Sequence, residues 1–245
     1  MSRGEAAGRL RALGFAEREA GILADHFLAA EERGRTSHGL RRIEWLAGLP
    51  DLDPGAQPSR VVVEEAYERW ESRGAVGYLT LAAICKAQLL VPPARARLVV
   101  AGACFPTGML GYWVRQLADG GLVAALTATS PPRLASPDGG PPLAGTNPLA
   151  IGIPSSDGRP VVADVSMGRV THGDVFAGEA RPEDLVPFGG DQAHKAFALA
   201  VGLQLLVDSL AGDGYGAVFL VARPEADPVP ALRERAHGVH LPGDR

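Results

Sequence analysis

Cysteine, lysine and aromatic residues are all scarce in this chain of 245 residues. Two cysteines, Cys85 and Cys104, exclude a disulfide framework and a four-thiolate metal centre. Lys86 and Lys195 are the only lysines, so arginine carries nearly all the positive charge. With 24 basic and 28 acidic residues the formal net charge is −4, and no basic face marks a nucleic-acid-binding protein. There is no GxGxxG after a strand-like run and no GxxxxGKS/T, which excludes a Rossmann fingerprint and a P-loop. The opening MSRGEAAGRLRALGF has no apolar run of signal type. The most apolar stretch, Ala196 to Val207, is too short to cross a bilayer and contains Gln204. The expectation is a cytoplasmic protein without a membrane or nucleic-acid partner.

What is present fits a folded α/β body. Hydrophobic residues make up 46% of the chain and charged residues 21%, a globular balance rather than a disordered one. Ala20, Leu23, Ala24, Phe27 and Leu28 share one face between Ala16 and Glu32, which predicts an amphipathic helix ended by Gly34. Further helices are expected over Leu40 to Leu49, Leu79 to Leu90, Gly108 to Leu117 and Lys195 to Leu210. Strand-like runs are Val61 to Val63, Arg97 to Ala101, Leu122 to Ala128, Leu149 to Ile153, Pro160 to Asp164 and Ala217 to Val221. The 31 glycines and 20 prolines punctuate these runs with turns.

Chemistry concentrates in Arg33 to Arg42, RGRTSHGLRR. Ser37 is placed to cap the following helix, and His38 would then lie in its first turn, where the dipole disfavours an imidazolium. Arg42 follows four residues on, one turn away. A neutral histidine, a hydroxyl and a guanidinium on one surface suit a small carboxylate-bearing substrate, the arginine gripping it and the histidine exchanging a proton. The same residues also suit a solvated capping turn.

Gly145-Thr146-Asn147-Pro148 forms a second cluster, a turn able to offer N–H groups to a phosphate or ribose, or to serve structure alone. Asp164 ends a strand as a histidine partner or as a turn residue. His172 and Asp174 read as loop residues. His237 and His240 lack a third ligand, so no metal is expected. Cys104, among small residues beside Phe105, reads as a buried, inert thiol.

Taken in order, AEERGRTSHGLRR, AGTNPLAIGIP, VVADVS, FGGDQAHKAFALAVGLQLLVDSLAG and the terminal HGVHLPGDR resemble the malate/L-lactate dehydrogenase family. That non-Rossmann family also includes sulfolactate, ureidoglycolate and diketogulonate dehydrogenases and piperideine/pyrroline-carboxylate reductases. The resemblance implies an α/β fold with two parts. Residues 1–96 with 213–245 would form a helical, substrate-binding part, and residues 97–212 a central mixed-sheet cofactor domain. It casts His38 as the acid that protonates a carbonyl or imine, Asp164 as its carboxylate partner, and Ser37 and Arg42 as contacts to the substrate carboxylate. It assigns Gly108, Gly145, Thr146, Asn147, Pro148 and Lys195 to an NAD(P)H cradle, and it implies a homodimer.

The departures are specific. Pro106 stands where the family carries a dinucleotide-contacting histidine. Only Gly168 to Pro187 remains between the VVADVS strand and Phe188-Gly189-Gly190, so the chain is a shortened, divergent member. The glycine turn leaves Lys195 or Gln192 as the family lysine position. One expectation is therefore an NAD(P)H-dependent reductase of a small 2-oxo acid or cyclic imine carboxylate. The others are a relative doing cofactor-free acid/base chemistry and a non-catalytic subunit.

Overall fold

The computed structural model describes residues 1–244. Three helices come first: α1 (Arg3–Ala12), α2 (Glu17–Glu32) and α3 (Arg42–Ala47). Strands β1 (Ser59–Val63) and β2 (Tyr67–Glu71) follow, then α4 (Gly77–Leu90), β3 (Ala96–Gly102), α5 (Leu110–Asp119), β4 (Val123–Ala128), β5 (Leu149–Ile153) and β6 (Val161–Val165). The chain closes with α6 (His172–Phe176), α7 (Ala193–Ala211), β7 (Ala217–Ala222) and α8 (Val229–Ala236). All seven strands form one mixed sheet in the order β1-β2-β3-β7-β4-β5-β6, with β2 and β3 parallel and the other pairs antiparallel. Strands from both expected parts therefore share a continuous sheet: β7 lies between β3 and β4.

The strands sort their side chains by alternation. Val99, Ala101, Ala124, Leu126, Ala150, Val162, Phe219 and Val221 point to one face and join α1, α2, α4 and α5 in the main core. Their neighbours Val100 and Val218 point to the other face and meet Val207 and Ala211 of α7. Helix α2 follows from its spacing, since Ala20, Leu23, Ala24 and Phe27 are all fully buried. Glu17 and Glu19 complement its N-terminus, and Gly34, with φ of 67°, lets the chain turn away after Arg33.

Strand β2 escaped the sequence reading because YERWE looks solvent-loving. In the sheet its alternate residues Glu68 and Trp70 face inward, and Glu68 is only 1% exposed. That carboxylate accepts from Gln88 Nε2 at 2.9 Å, Trp70 Nε1 at 3.1 Å and Arg60 Nη1 at 3.2 Å, with Arg97 Nη1 at 3.4 Å. A buried charge is tolerable only when paired and hydrogen-bonded in this way. The network ties β1, β2, β3 and α4 together at one end of the sheet.

Helix α7 is also longer than its apolar run suggested. Together with the short turn before it, Gly190–Ala211 is long and apolar enough to cross a membrane by length and composition. In this fold it lies on the sheet through Ala196, Ala200, Val207 and Ala211. Both cysteines are buried, and burial pushes the Cys104 thiol up to about 12, so it is unreactive as the sequence suggested.

Candidate active site

The histidine turn is a single tight turn, Thr36–His38, wedged between α2 and α3. Glu31 Oε1 accepts from the Leu40 N–H at 2.9 Å and pins the exit of the turn to α2. Ser37 does not cap the next helix. Helix α3 begins only at Arg42 and has no side-chain cap. The Ser37 hydroxyl instead lies 3.1 Å from His38 Nδ1. Arg42 is buried; its Nε donates to the Ser37 carbonyl at 2.7 Å, and its guanidinium carbon lies 5.1 Å from the centroid of the Trp45 ring. Among the described residues Arg42 makes no ion pair, and its Nη2 lies against Gly173 of α6.

His38 is held well below its ordinary value, at about 4. Burial is the main cause, the Arg42 and Arg35 cations add to it, and Asp174 opposes them. The dipole argument gave the right direction for the wrong reason, because His38 is not in the first turn of a long helix. Beneath it sits a second histidine that the sequence reading left unmarked. His26 of α2 is fully buried, stacks on Trp113 at 5.2 Å between ring centroids, and meets Tyr78 and Tyr112 edge-on at 4.9 Å. Its Nε2 lies 3.1 Å from the Met109 N–H and 3.4 Å from the Met109 carbonyl. Burial, with His38 next, depresses it to about 3. Gly108 serves this packing. At φ of 70°, a Cβ there would come 2.3 Å from Tyr78 Cε1 and 2.4 Å from His26 Cε1.

The two candidate carboxylates have different surroundings. Asp164, at the end of β6, accepts the Gly111 N–H at 2.7 Å and so satisfies a free donor in the first turn of α5. Burial raises its pKa, against the Gly111 hydrogen bond and Arg35. Among the described residues it has no hydrogen bond to His38. The carboxylate beside His38 is Asp174, which the sequence reading treated as a loop residue. It sits in α6, where Thr171 and Asp174 cap each other: Thr171 N donates to Asp174 Oδ2 at 2.6 Å, and Asp174 N to Thr171 Oγ1 at 3.2 Å. The Thr-x-x-Asp spacing in THGD was the signal for that helix start.

The GTNP turn is a lock between β5 and α7. Asn147 is fully buried; its Nδ2 donates to Ala200 O at 3.0 Å and Gln204 Oε1 at 2.9 Å, and its Oδ1 accepts from Ser130 N at 3.3 Å. Gly145 leaves no room for a Cβ, which would lie 2.3 Å from Ser130 Oγ. The Thr146 carbonyl accepts from Met167 N at 2.8 Å, and that of Pro148 from Thr127 Oγ1 at 2.9 Å. The Asn147 side-chain amide is thus taken up within the protein. Lys195 is exposed in the first turn of α7, a turn with no acidic residue and no side-chain cap. Gly189 and Gly190, both at positive φ, lead into it, and Gly190 has open space around it.

The model of the malate/L-lactate dehydrogenase family matches residues 3–185. The chain belongs to this family. It is 31% identical over 245 residues to (2R)-3-sulfolactate dehydrogenase (NADP(+)) from Chromohalobacter salexigens, covering 86% of this chain and 71% of that protein. It is 30% identical over 237 residues to Δ1-pyrroline-2-carboxylate/Δ1-piperideine-2-carboxylate reductase from Pseudomonas putida, covering 84% and 68%. The crystal structure of Δ1-piperideine-2-carboxylate reductase from Pseudomonas syringae pv. tomato shares the fold, with a TM-score of 0.82 at 24% identity over all of this chain and 91% of that one. The mixed-sheet fold expected from the resemblance is thus the fold of the family.

Pro106 is buried and its carbonyl lies against Gly77, where a Cβ would come within 2.7 Å of the oxygen. It offers no side-chain donor or acceptor. In a different segment, the approach to α7 and its first turn offer groups that fit the phosphates of a dinucleotide. An uncapped helix N-terminus, Gly190 with open space around it and Lys195 are anion-binding chemistry, with Asp191 the one acidic residue in the turn before the helix.

Proposed function

We propose that this family member reduces a small 2-oxo acid or cyclic imine carboxylate with NADH or NADPH. The observation that carries the reading is the buried Arg42 guanidinium at the start of α3, without an ion pair among the described residues, bonded to the turn that holds a neutral imidazole. A cation taken out of water calls for an anion, and a planar carboxylate suits its two terminal nitrogens. Arg42 and the Ser37 segment would hold the substrate carboxylate, which sets the adjacent C2 carbon beside His38. The nicotinamide would supply hydride to C2. Gly189, Gly190, the first turn of α7 and Lys195 would hold its phosphates.

His38 supplies the proton to the oxygen or nitrogen on C2. Arg42 is one of the groups that keep it neutral in the free protein. A carboxylate against Arg42 cancels that repulsion, so substrate binding itself raises the basicity of His38 and lets it carry the proton. Arg42→Met keeps the buried stem but not the charge. It is expected to raise KM for a 2-oxo acid about tenfold to a hundredfold, the loss of hydrogen bonds to a charged group, with a smaller change in kcat. Steady-state assays over a panel of 2-oxo acids and cyclic imine carboxylates check this. An unchanged KM would contradict the assignment.

A further inference from the structure

The loop that carries α6 runs from Arg169 to Val186, and its two ends meet. Arg169 N donates to Val186 O at 2.7 Å, Phe188 N donates to Met167 O at 3.1 Å, and Gly168 pairs with Pro187 as an isolated bridge. Met167 is buried against Leu134, Ala144 and Ala200, so this neck is fixed to the body of the protein. Above the neck the loop is braced from within. Thr171 and Asp174 cap each other, Glu179 N donates to Asp174 O at 2.8 Å, and Asp184 pairs with both Arg169 and Arg181. The loop adds almost nothing to the core, since Gly173 is the one buried residue between Arg169 and Val186. Its largest apolar side chain, Phe176, is 51% exposed. A closed neck, internal bracing and no buried apolar side chain describe an Ω-type loop that lifts as a unit at little cost.

What the loop covers is the candidate substrate site. A Cβ on Gly173 would stand 2.4 Å from Arg42 Nη2, 3.0 Å from the Ser37 carbonyl oxygen and 3.2 Å from Ser37 Cβ. The loop backbone therefore lies directly on both residues, which are only 9% and 6% exposed. A carboxylate cannot reach the covered Nη2 while Gly173 stays where it is. Two hydrogen bonds fasten the loop to the turn beneath. Thr36 Oγ1 donates to Glu179 Oε1 at 2.6 Å, and Arg41 Nη1 donates to the Ala177 carbonyl at 2.5 Å. Both are exposed, so water competes for them and each is weak. We propose that residues 169–186 form a lid, latched over Arg42 through Glu179 and Ala177, which swings about the Gly168–Pro187 neck to admit a carboxylate. What the lid admits rests on the reading of Arg42 as the carboxylate site, whereas its motion does not. Closing again over a bound carboxylate shuts water away from the ion pair with Arg42 and strengthens it.

The test reads two rates in the full-length protein, with neither substrate nor dinucleotide present. One is amide hydrogen exchange, and the other is arginine modification by 2,3-butanedione, which reaches a guanidinium only once it is uncovered. The lid amides should be protected about tenfold less, or lower still, than those of β7, while the Met167 and Phe188 amides of the neck stay slow. Glu179→Ala and Thr36→Val remove the same latch from opposite sides. Each should speed lid exchange and Arg42 modification about threefold to tenfold, the size of one hydrogen bond. Arg95, an exposed side chain elsewhere on the surface, should react at an unchanged rate. Arg42 modified equally fast in the wild type and both variants would overturn the proposal. So would lid amides as slow as those of β7, or a neck that opens together with the lid. A saturating 2-oxo acid should then slow lid exchange severalfold. A lid that opens as described but ignores the acid would count against the proposed substrate class and leave the lid standing.

Discussion

His38→Gln is expected to lower kcat by about 10²- to 10⁴-fold, the range for losing a positioned general acid. Glutamine fills a similar volume and can still hydrogen-bond with Ser37, but it cannot carry a proton between substrate and solvent at neutral pH. The substrate carboxylate is held by Arg42, so KM should stay within a few-fold of the wild type. Folding should be nearly unaffected, because the imidazole is neutral and makes one side-chain hydrogen bond. Steady-state kinetics in both directions, with thermal unfolding as the control, separate these effects. A variant that keeps more than about a tenth of the wild-type kcat would remove His38 from the proton transfer.

The second large effect is acid instability set by two depressed histidines. In the unfolded chain a histidine titrates near 6.5, whereas folded His38 titrates near 4 and folded His26 near 3. Between those values the unfolded state binds more protons, so stability falls as pH falls below about 6.5. Each histidine contributes about 1.4 kcal/mol per pH unit, which gives on the order of 5 kcal/mol for the pair by about pH 4.5. That is comparable to the whole stability of many domains. His26→Gln keeps an acceptor for the Met109 N–H without a titrating ring. It should lose about half of this pH dependence, at a cost at neutral pH from the lost ring stacking on Trp113. Denaturant melts at about pH 7 and pH 4.5 measure the slope. The same slope in His26→Gln as in the wild type would contradict the burial account.

Where the sequence was legible, one side-chain period matched one environment. Helix α2 and strands β5 and β7 lie within a residue or two of their expected bounds, because their apolar residues repeat at 3.6 or 2 and face a single core. Strand β2 was illegible because its inward residues include Glu68, whose burial depends on Arg60, Arg97 and Gln88 elsewhere in the chain. The candidate site divides in the same way. Ser37, His38 and Arg42 are close in sequence, and the fold brings them together. Asp174 reaches them from another element, and only the Thr171–Asp174 capping spacing pointed to its helix. His26 shares its face with the core residues of α2, where a lone histidine looks like packing. Its place against Gly108 and Trp113 is a tertiary fact. The GTNP turn was left open between a ligand cradle and a purely structural turn, because sequence cannot show that α7 folds back to take up the Asn147 amide.

The central claim is that a nicotinamide dinucleotide and a carboxylate meet at the His38 turn. A fluorescence titration of the purified protein with NADH and NADPH, with and without a saturating 2-oxo acid, tests it most directly. The account predicts saturable binding of at least one dinucleotide, weakened severalfold by Lys195→Ala and tightened by the 2-oxo acid only while Arg42 is present. No saturable binding of either dinucleotide at millimolar concentration would contradict it, and would leave His38 with acid/base chemistry that needs no hydride donor.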